Sequence, residues 1–380
     1  MDHFDYILVG GGLQNGLIVR ALRARRPAAR ILLIERAARL GGNHTWCFHE
    51  EDVEARSREW LEALVVHRWP GYDVRFPRLR RTIEGVYSAV TSERLHAVVG
   101  AEVQDHAASR LLLESEVSDV EAGRVTLRSG ETVEGGVVVD GRGPLPPANG
   151  SRAGYQKFLG LELQLADAHG LERPLLMDAT VDQSEGFRFF YVLPLAPAGL
   201  LVEDTYFHQS PALEPDALRR GILSYAASRG WEVRRIVREE VGVLPMPWSG
   251  RFVPPRRGPL AAGYRGGWFH PGTGYSFPVA VRLAEFIAGR PPSALFGPQL
   301  TRFGRRHARQ VLFTHFLNRF LFRWYPPAAR HSIFERFYRL PAATIGDFYA
   351  LRLTSADRFR LLSGRPPSGL SLRYRLGGKD

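Results

Sequence analysis

A chain of 380 residues, 44% of them apolar, is long enough to bury a full core and to divide into two or so domains. No apolar run reaches the roughly 18 residues that a spanning helix needs, since the most apolar stretch, 191–202, is broken by Pro194 and Pro197, and the single cysteine, Cys47, excludes an internal disulfide and a cysteine-built metal site. The net charge of +12 admits nucleic acid or an anionic membrane as partner, although all but Lys157 and Lys379 of the 51 basic residues are arginine, as GC-rich coding also gives at surface positions.

The first element is an apolar strand, 4–9, close behind Met1. It leaves no room for a signal or transit peptide, so the cytoplasm is the expected compartment. Gly10-Gly11-Gly12, a helix to about Arg25 and a second strand, 31–34, ending at Glu35, complete a βαβ opening. A glycine-rich aromatic loop, 41–49, and a polar helical region to Leu64 follow. Between 111 and 139 short alternating runs predict a β-meander, closed by the strand Val137-Val138-Val139 and the turn Asp140-Gly141-Arg142-Gly143.

The Pro- and Gly-rich stretch 144–150 marks a domain boundary. Beyond it, 156–165, 187–193 and 200–207 read as strands of a second sheet, with a helix near 216–228. The chain then returns to a glycine-rich loop and helix over 259–288, so the second sheet is an insertion. The division is 1–150 plus 255–295 for a discontinuous nucleotide-binding domain, 151–254 for a substrate domain and 296–380 for a helical C-terminal region.

In the first turn, Gly10 and Gly12 let backbone N–H groups, with that of Leu13, approach a pyrophosphate at a helix N-terminus. Asn15 stands where a third glycine is usual, so close packing there is relaxed or shifted to Gly16. Glu35, 25 residues after Gly10, can accept hydrogen bonds from ribose hydroxyls and argues against a 2′-phosphate, with Arg36 beside it. NAD and FAD share this pattern. The Asp140-Gly141-Arg142 turn after a meander, and a third glycine-rich loop from Gly263, follow the layout of FAD enzymes resembling aromatic hydroxylases, which favours FAD. That fold usually has Gly-Asp in the third loop; here the pair is Gly263-Tyr264, so the ribityl contact comes from elsewhere. Arg94 is a candidate on the flavin side, or a solvated helix arginine. The expected fold is therefore α/β: an FAD-binding Rossmann-like domain of the aromatic-hydroxylase type, an inserted mixed β-sheet substrate domain and a helical C-terminal region.

Three further stretches carry a narrower resemblance: Gly41-Gly42-Asn43-His44-Thr45-Trp46, Leu201-Val202-Glu203-Asp204-Thr205, and His270-Pro271-Gly272-Thr273-Gly274-Tyr275-Ser276. They are similar to signature stretches of bacterial lycopene β-cyclases, and with the N-terminal turn they span most of the chain. The acidic pair is Glu-Asp where plant relatives have Glu-Glu. The resemblance implies a flavin-dependent reaction without net redox change, in which lycopene passes through γ-carotene to β-carotene. A proton adds to a terminal double bond, an internal alkene attacks the tertiary cation, and a ring proton leaves. It also implies reduced FAD, kept reduced by NAD(P)H, and a carotenoid dissolved in membrane.

Such chemistry needs a strong acid, a dry pocket and negative or π density near the cation. Strand alternation places Leu201, Glu203 and Thr205 on one face and Val202 and Asp204 on the other. Glu203 is the candidate acid, its proton retained through burial, and Asp204 the accompanying acid that orders it or a neighbouring loop. Under the resemblance, Asn43, His44, Pro271, Gly272, Thr273, Gly274 and Tyr275 join the cofactor site, with His270 and Tyr275 beside the flavin ring. Read as residues alone, His44 and Trp46 equally fit a core tryptophan with a satisfied histidine, and 271–274 a turn before a helix. No histidine spacing points to a metal.

Between 300 and 340, nine arginines and one acid, Glu335, are threaded with phenylalanines. Leu312, Phe313, Phe316, Leu317, Phe320, Leu321 and Trp324 recur at helical spacing up to Pro326-Pro327. Two uses are open: peripheral contact with the inner face of a membrane, or packing on the substrate domain. A further helix is expected over 344–362. Rival functions are a flavin monooxygenase or isoprenoid reductase on the same fold, and a non-catalytic membrane or nucleic-acid binder, which the glycine motifs oppose. Oligomeric state is not legible.

Overall fold

Phe4–Val9 and Ile31–Ile34 are apolar and almost wholly buried. Strands buried on both faces read as unbroken apolar runs, as in parallel sheets covered by helices. In the computed structural model, which describes residues 3–143, 152–371 and 374, these two strands pair in parallel, with Tyr6 opposite Ile31. The sheet continues through Thr132–Asp140, parallel to the first strand, then Arg124–Leu127 and Val117–Val120, both antiparallel. Arg110–Leu112, read from sequence as part of the meander, instead adds in parallel to the outer side of Ile31–Ile34.

A later segment also adds to this sheet. Leu260–Ala261 pairs with Val139 and Asp140, and the helix Phe277–Ala288 packs on Leu13–Arg25, where the Gln14 amide donates to the Ala280 carbonyl at 3.1 Å. The expected boundary at 144–150 lies outside the described residues.

The second sheet has eight strands, in the order Val233–Pro247, Ala153–Leu165, Gly199–His208, Phe187–Ala196, Leu175–Asp178, His67–Phe76, Leu79–Thr91 and Thr45–His49. Only the pairing of Leu175–Asp178 with His67–Phe76 is parallel. Its strands come from 45–91 as well as from 153–247, so part of the aromatic loop expected over 41–49 is itself an edge strand. The helix Pro215–Ser228 covers one face with Leu218, Ile222 and Tyr225, which meet Leu161, Val192 and Val202 in a single apolar cluster. The other face packs on the C-terminal helices through Leu321, Phe322, Phe337 and Ile345.

Pro298–Trp324 is one long helix, ending before Pro326 as its proline pair dictates. Its apolar residues do not form one stripe. Val311, Leu321 and Phe322 are buried beside His307, Thr314 and Asn318, whereas Leu312 and Phe316 remain 63% and 50% exposed among arginines. The single helix expected over 344–362 is two, Ala342–Tyr349 and Ser355–Leu362. Leu351 adopts a left-handed φ of 51°, and Thr354 starts the second helix in a reciprocal capping box with Asp357. No helix among the described residues is long and apolar enough to cross a membrane.

Candidate active site

One cavity of about 850 Å³ runs from the first glycine turn to the inner face of the second sheet. At the turn, Gly10 has a φ of +93°, and a Cβ there would lie 2.9 Å from the Gly141 carbonyl oxygen. Gly12, at the start of Leu13–Arg25, faces open space instead. A helix N-terminus without a side chain over it is where an anion can meet free N–H groups. Asn15 replaces the missing third glycine by donating its amide to the carbonyls of Val9 (3.0 Å) and Gly10 (2.8 Å). The close approach has moved to Gly16, where a Cβ would stand 3.0 Å from Leu95.

Glu35 lines this end of the cavity and accepts from the N–H groups of Gly11 (2.6 Å) and Ala37 (2.9 Å), one on each oxygen. Each oxygen keeps a second lone pair for a ribose hydroxyl. Leu13, Arg36, His44, Arg142, Gly263, Thr273, Gly274 and Tyr275 also reach the cavity wall. These residues fit a dinucleotide laid between the first and third glycine loops. The Tyr264 hydroxyl, standing where an acid is usual, donates to the Gly274 carbonyl, and its ring stacks on Phe269, so it braces the third loop from behind.

Other predicted site residues lie off the cavity, each with a physical reason. Arg94 turns its guanidinium to the Ala63 carbonyl at 2.6 Å, the solvated-helix alternative in a more anchored form. Asn43 bridges to the strand Val233–Pro247, donating to the Glu239 carbonyl and accepting from Arg238, each at 2.8 Å. Asp140 is buried and committed to Arg142 (2.9 Å) and Arg265 (2.5 Å), tying the first sheet to the third loop. Pro271 gives its carbonyl to Asn318 at 2.8 Å, and a Cβ on Gly272 would stand 2.9 Å from Thr314, so both pack against the long helix.

His270 is likewise a bracing residue and not a wall of the cavity. It is fully buried, its Nδ1 accepts from the Gly272 N–H at 3.0 Å, and its Nε2 donates to the Phe348 carbonyl at 3.0 Å. Burial lowers its pKa to about 3, so the ring is neutral. Tyr275 reaches the cavity and donates to Asp52 at 3.0 Å, and burial lifts that carboxyl to about 6.

The acidic pair divides across the strand. Asp204 points away from the cavity, fully buried, into two hydrogen bonds with Arg188 at 2.9 and 2.7 Å. It is a structural ion pair under the helix Pro215–Ser228, where a Cβ on Gly221 would meet it at 2.7 Å. Glu203 opens onto the cavity with Thr205 and Phe207. Phe158, Phe189, Tyr87 and Tyr191 complete an aromatic wall around it, and the Tyr87 and Tyr191 hydroxyls share a hydrogen bond of 2.9 Å.

Sequence reasoning missed the residue nearest in kind to Glu203. Gly160 pairs with Glu203 on one side and with Glu240 on the other. A Cβ on Gly160 would lie 2.8 Å from the Glu203 Cγ and 3.1 Å from the Glu240 Cγ, so the glycine lets two carboxyls meet over it. Burial, then the charge of Glu240 and a hydrogen bond with it, hold the Glu203 carboxyl well above the usual carboxylate range, against the pull of Arg238. Arg238 donates to Glu240 at 2.8 Å and to Glu162 at 3.1 Å. The available signal was the glycine inside an apolar strand, which marks a close approach, but its partner strand was not recognised.

A glycine-loop βαβ domain joined to a mixed sheet, with the cavity between them, defines the two-domain flavoprotein fold of FAD-dependent monooxygenases. Solved structures with this fold include p-nitrophenol 4-monooxygenase from Pseudomonas putida (TM-score 0.66, 14% identity, covering 92% of this chain and 98% of that one) and a geranylgeranyl bacteriochlorophyll reductase-like protein from Thermoplasma acidophilum (TM-score 0.63, 12% identity, 95% and 96%). Within that class the chain belongs to the lycopene cyclase family, matching the family described as lycopene cyclase protein over residues 5–374. It is 44% identical to lycopene beta-cyclase from Pantoea ananas over 96% of this chain and 95% of that one. It is 40% identical to lycopene beta-cyclase from a Paracoccus species over 99% and 97%.

Proposed function

We propose that this chain cyclises the ends of lycopene, through γ-carotene to β-carotene, with Glu203 as the proton donor. The observation that carries the reading is a buried carboxyl on an aromatic cavity wall whose proton is held tightly by burial and by a second carboxyl. Glu203 gives its proton to the inner CH carbon of the terminal double bond, which leaves the tertiary cation on the end carbon that bears the two methyl groups. The internal alkene's electron pair closes the six-membered ring on the resulting tertiary cation. The neighbouring ring C–H then returns a proton to the carboxylate as its electron pair forms the ring double bond, so no electrons are gained or lost overall.

Phe189, Phe207, Tyr87 and Tyr191 offer π faces to a cation and exclude water that would trap it. Gly10, Gly12, Leu13, Glu35, Arg36, Arg142, Gly263, Thr273, Gly274 and Tyr275 would hold FAD, which the fold of the solved relatives favours. Bound there in its reduced form, with NAD(P)H as reductant, FAD would supply electron density that stabilises positive charge. Substrate access from a membrane is supported by the outward Leu312 and Phe316, and by Phe359 and Leu362, 73% and 53% exposed. They sit on helices joined where Arg358 donates to the Arg309 carbonyl and covers the Phe313 ring. An Arg/Phe face suits anionic headgroups at the cytoplasmic leaflet.

The purified chain, supplied with reduced FAD and lycopene in anionic vesicles, should make β-carotene with γ-carotene appearing first. NAD(P)H and O₂ should not be consumed in step with product. Unchanged lycopene from protein that has bound the flavin contradicts cyclisation, and O₂ uptake matched to product indicates a monooxygenase instead.

A further inference from the structure

Four side-chain positions lie in one row across the inner face of the second sheet: Glu240, Gly160, Glu203 and Tyr191. The row brings two carboxyls together where only one is needed to donate a proton. Glu240 is 4% exposed, and Arg238, itself largely buried, donates to it at 2.8 Å. Glu240 thus receives a charge-assisted hydrogen bond from a cation of its own. Among the described residues no arginine hydrogen-bonds Glu203, on which Arg238 acts only through its charge. The remaining groups facing it are Tyr191 and Tyr87, whose hydroxyls bond one another, and Cys47, with Glu162 beyond Arg238. None of these supplies a cation to Glu203.

From this asymmetry we infer that Glu240, the member of the pair anchored by Arg238, is a positioning residue that accepts a hydrogen bond from the protonated Glu203 and keeps its proton in place for the alkene. The inference rests on the reading of Glu203 as donor. Two adjacent carboxyls do not both ionise readily, so the pair carries one proton between pulses of chemistry. Once Glu203 has delivered that proton, the pair is doubly anionic beside the ring cation. It therefore both steadies the cation and recovers the proton that the ring releases. Arg238 anchors Glu240, and Gly160 provides the contact, since any side chain there would push the two apart.

The test compares wild type, Glu240→Gln, Glu240→Asp and Glu203→Gln, each loaded with reduced FAD, for turnover of lycopene against pH. It also records the infrared carboxylic C=O band of each protein as the pH is raised. In Glu240→Gln the alkaline limb of the rate profile should move down by about one pH unit or more, a tenfold loss of protonated Glu203 at a given pH on that limb. The acidic plateau should fall by a smaller factor than the alkaline limb, and the C=O band should vanish at correspondingly lower pH. Glu240→Asp should restore the limb toward wild type.

A limb and band that stay at the wild-type pH in folded Glu240→Gln overturn the role of Glu240. So does a rate loss equal at every pH with the band unmoved, which marks a structural role only. Should Glu240→Gln not fold, Glu240→Asp and the wild-type band decide: no protonated carboxyl at neutral pH that disappears with Glu203→Gln overturns the inference. Full activity in Glu203→Gln rejects the donor reading itself, and so separates the two failures.

Discussion

On one face of the strand Gly199–His208, Asp204 meets Arg188 through two hydrogen bonds. On the other, one residue earlier, Glu203 meets a second carboxyl. Both acids lie deep in the protein and both have raised pKa values, in each case chiefly through burial. For Asp204 the Arg188 guanidinium draws the value back down, whereas for Glu203 the nearest charge pushes it further up. The contrast shows how strand alternation lets a dipeptide of two acids build a structural ion pair and a proton store back to back. A perturbed carboxyl in a cavity, with no cation of its own, is the one suited to acid chemistry.

The largest effect that sharpens this contrast is on turnover. Glu203→Gln should lower the rate of lycopene cyclisation by about 10² to 10⁴, the usual contribution of a positioned acid, while flavin binding measured by absorbance is retained. Asp204→Ala should act on the fold instead. It strands Arg188 in a mostly buried site, at a cost of about 3–5 kcal/mol, visible as a lower unfolding midpoint in urea. Protein that remains folded should keep most of its rate per bound flavin; a loss as large as that of Glu203→Gln would erase the distinction between the faces.

A smaller effect separates the two acids by pH. Because the folded pKa of Glu203 is raised, its stabilising contribution is fully present below the unfolded carboxyl range and is lost as pH rises through the folded value. Glu203→Gln, which carries no titrating proton, should therefore melt above wild type at pH 8 and converge with it toward pH 4. A difference in melting temperature that is constant over this range would mean that the carboxyl is not perturbed.

Much of the first sheet was legible because its signals are local. The glycine turn, the apolar strands and Glu35 lie within one βαβ unit, and 4–9, 13–25 and 31–34 fall where periodicity puts them. The second sheet was harder. Thr45–His49, His67–Phe76 and Leu79–Thr91 join it from a distant part of the chain, and the edge strand Val233–Pro247 exposes Ile236, Val237, Val241 and Val243, so its pattern lacks the alternation of a half-buried strand. Glu240 was invisible for that reason, since its meaning depends on Gly160 and Glu203 across two pairings. Arg94, Asn43, Asp140, Pro271 and Gly272 stand near the site in sequence but are committed elsewhere by hydrogen bonds or packing that only tertiary structure reveals. The C-terminal helix divides because Leu351 turns left-handed and Thr354 caps a new start, a stop signal that apolar spacing alone does not carry.

The claim that an exchangeable carboxyl proton starts the reaction is tested most directly by running it in heavy water with unlabelled lycopene and weighing the product. Each ring closed by the wild-type chain should carry one deuterium, because the added hydrogen comes from a side chain equilibrated with solvent while the hydrogen lost is one of the substrate's own. With the protein held in heavy water and limited to a single closure per site, so that no recovered ring proton is reused, β-carotene ends without deuterium would contradict a proton-initiated closure.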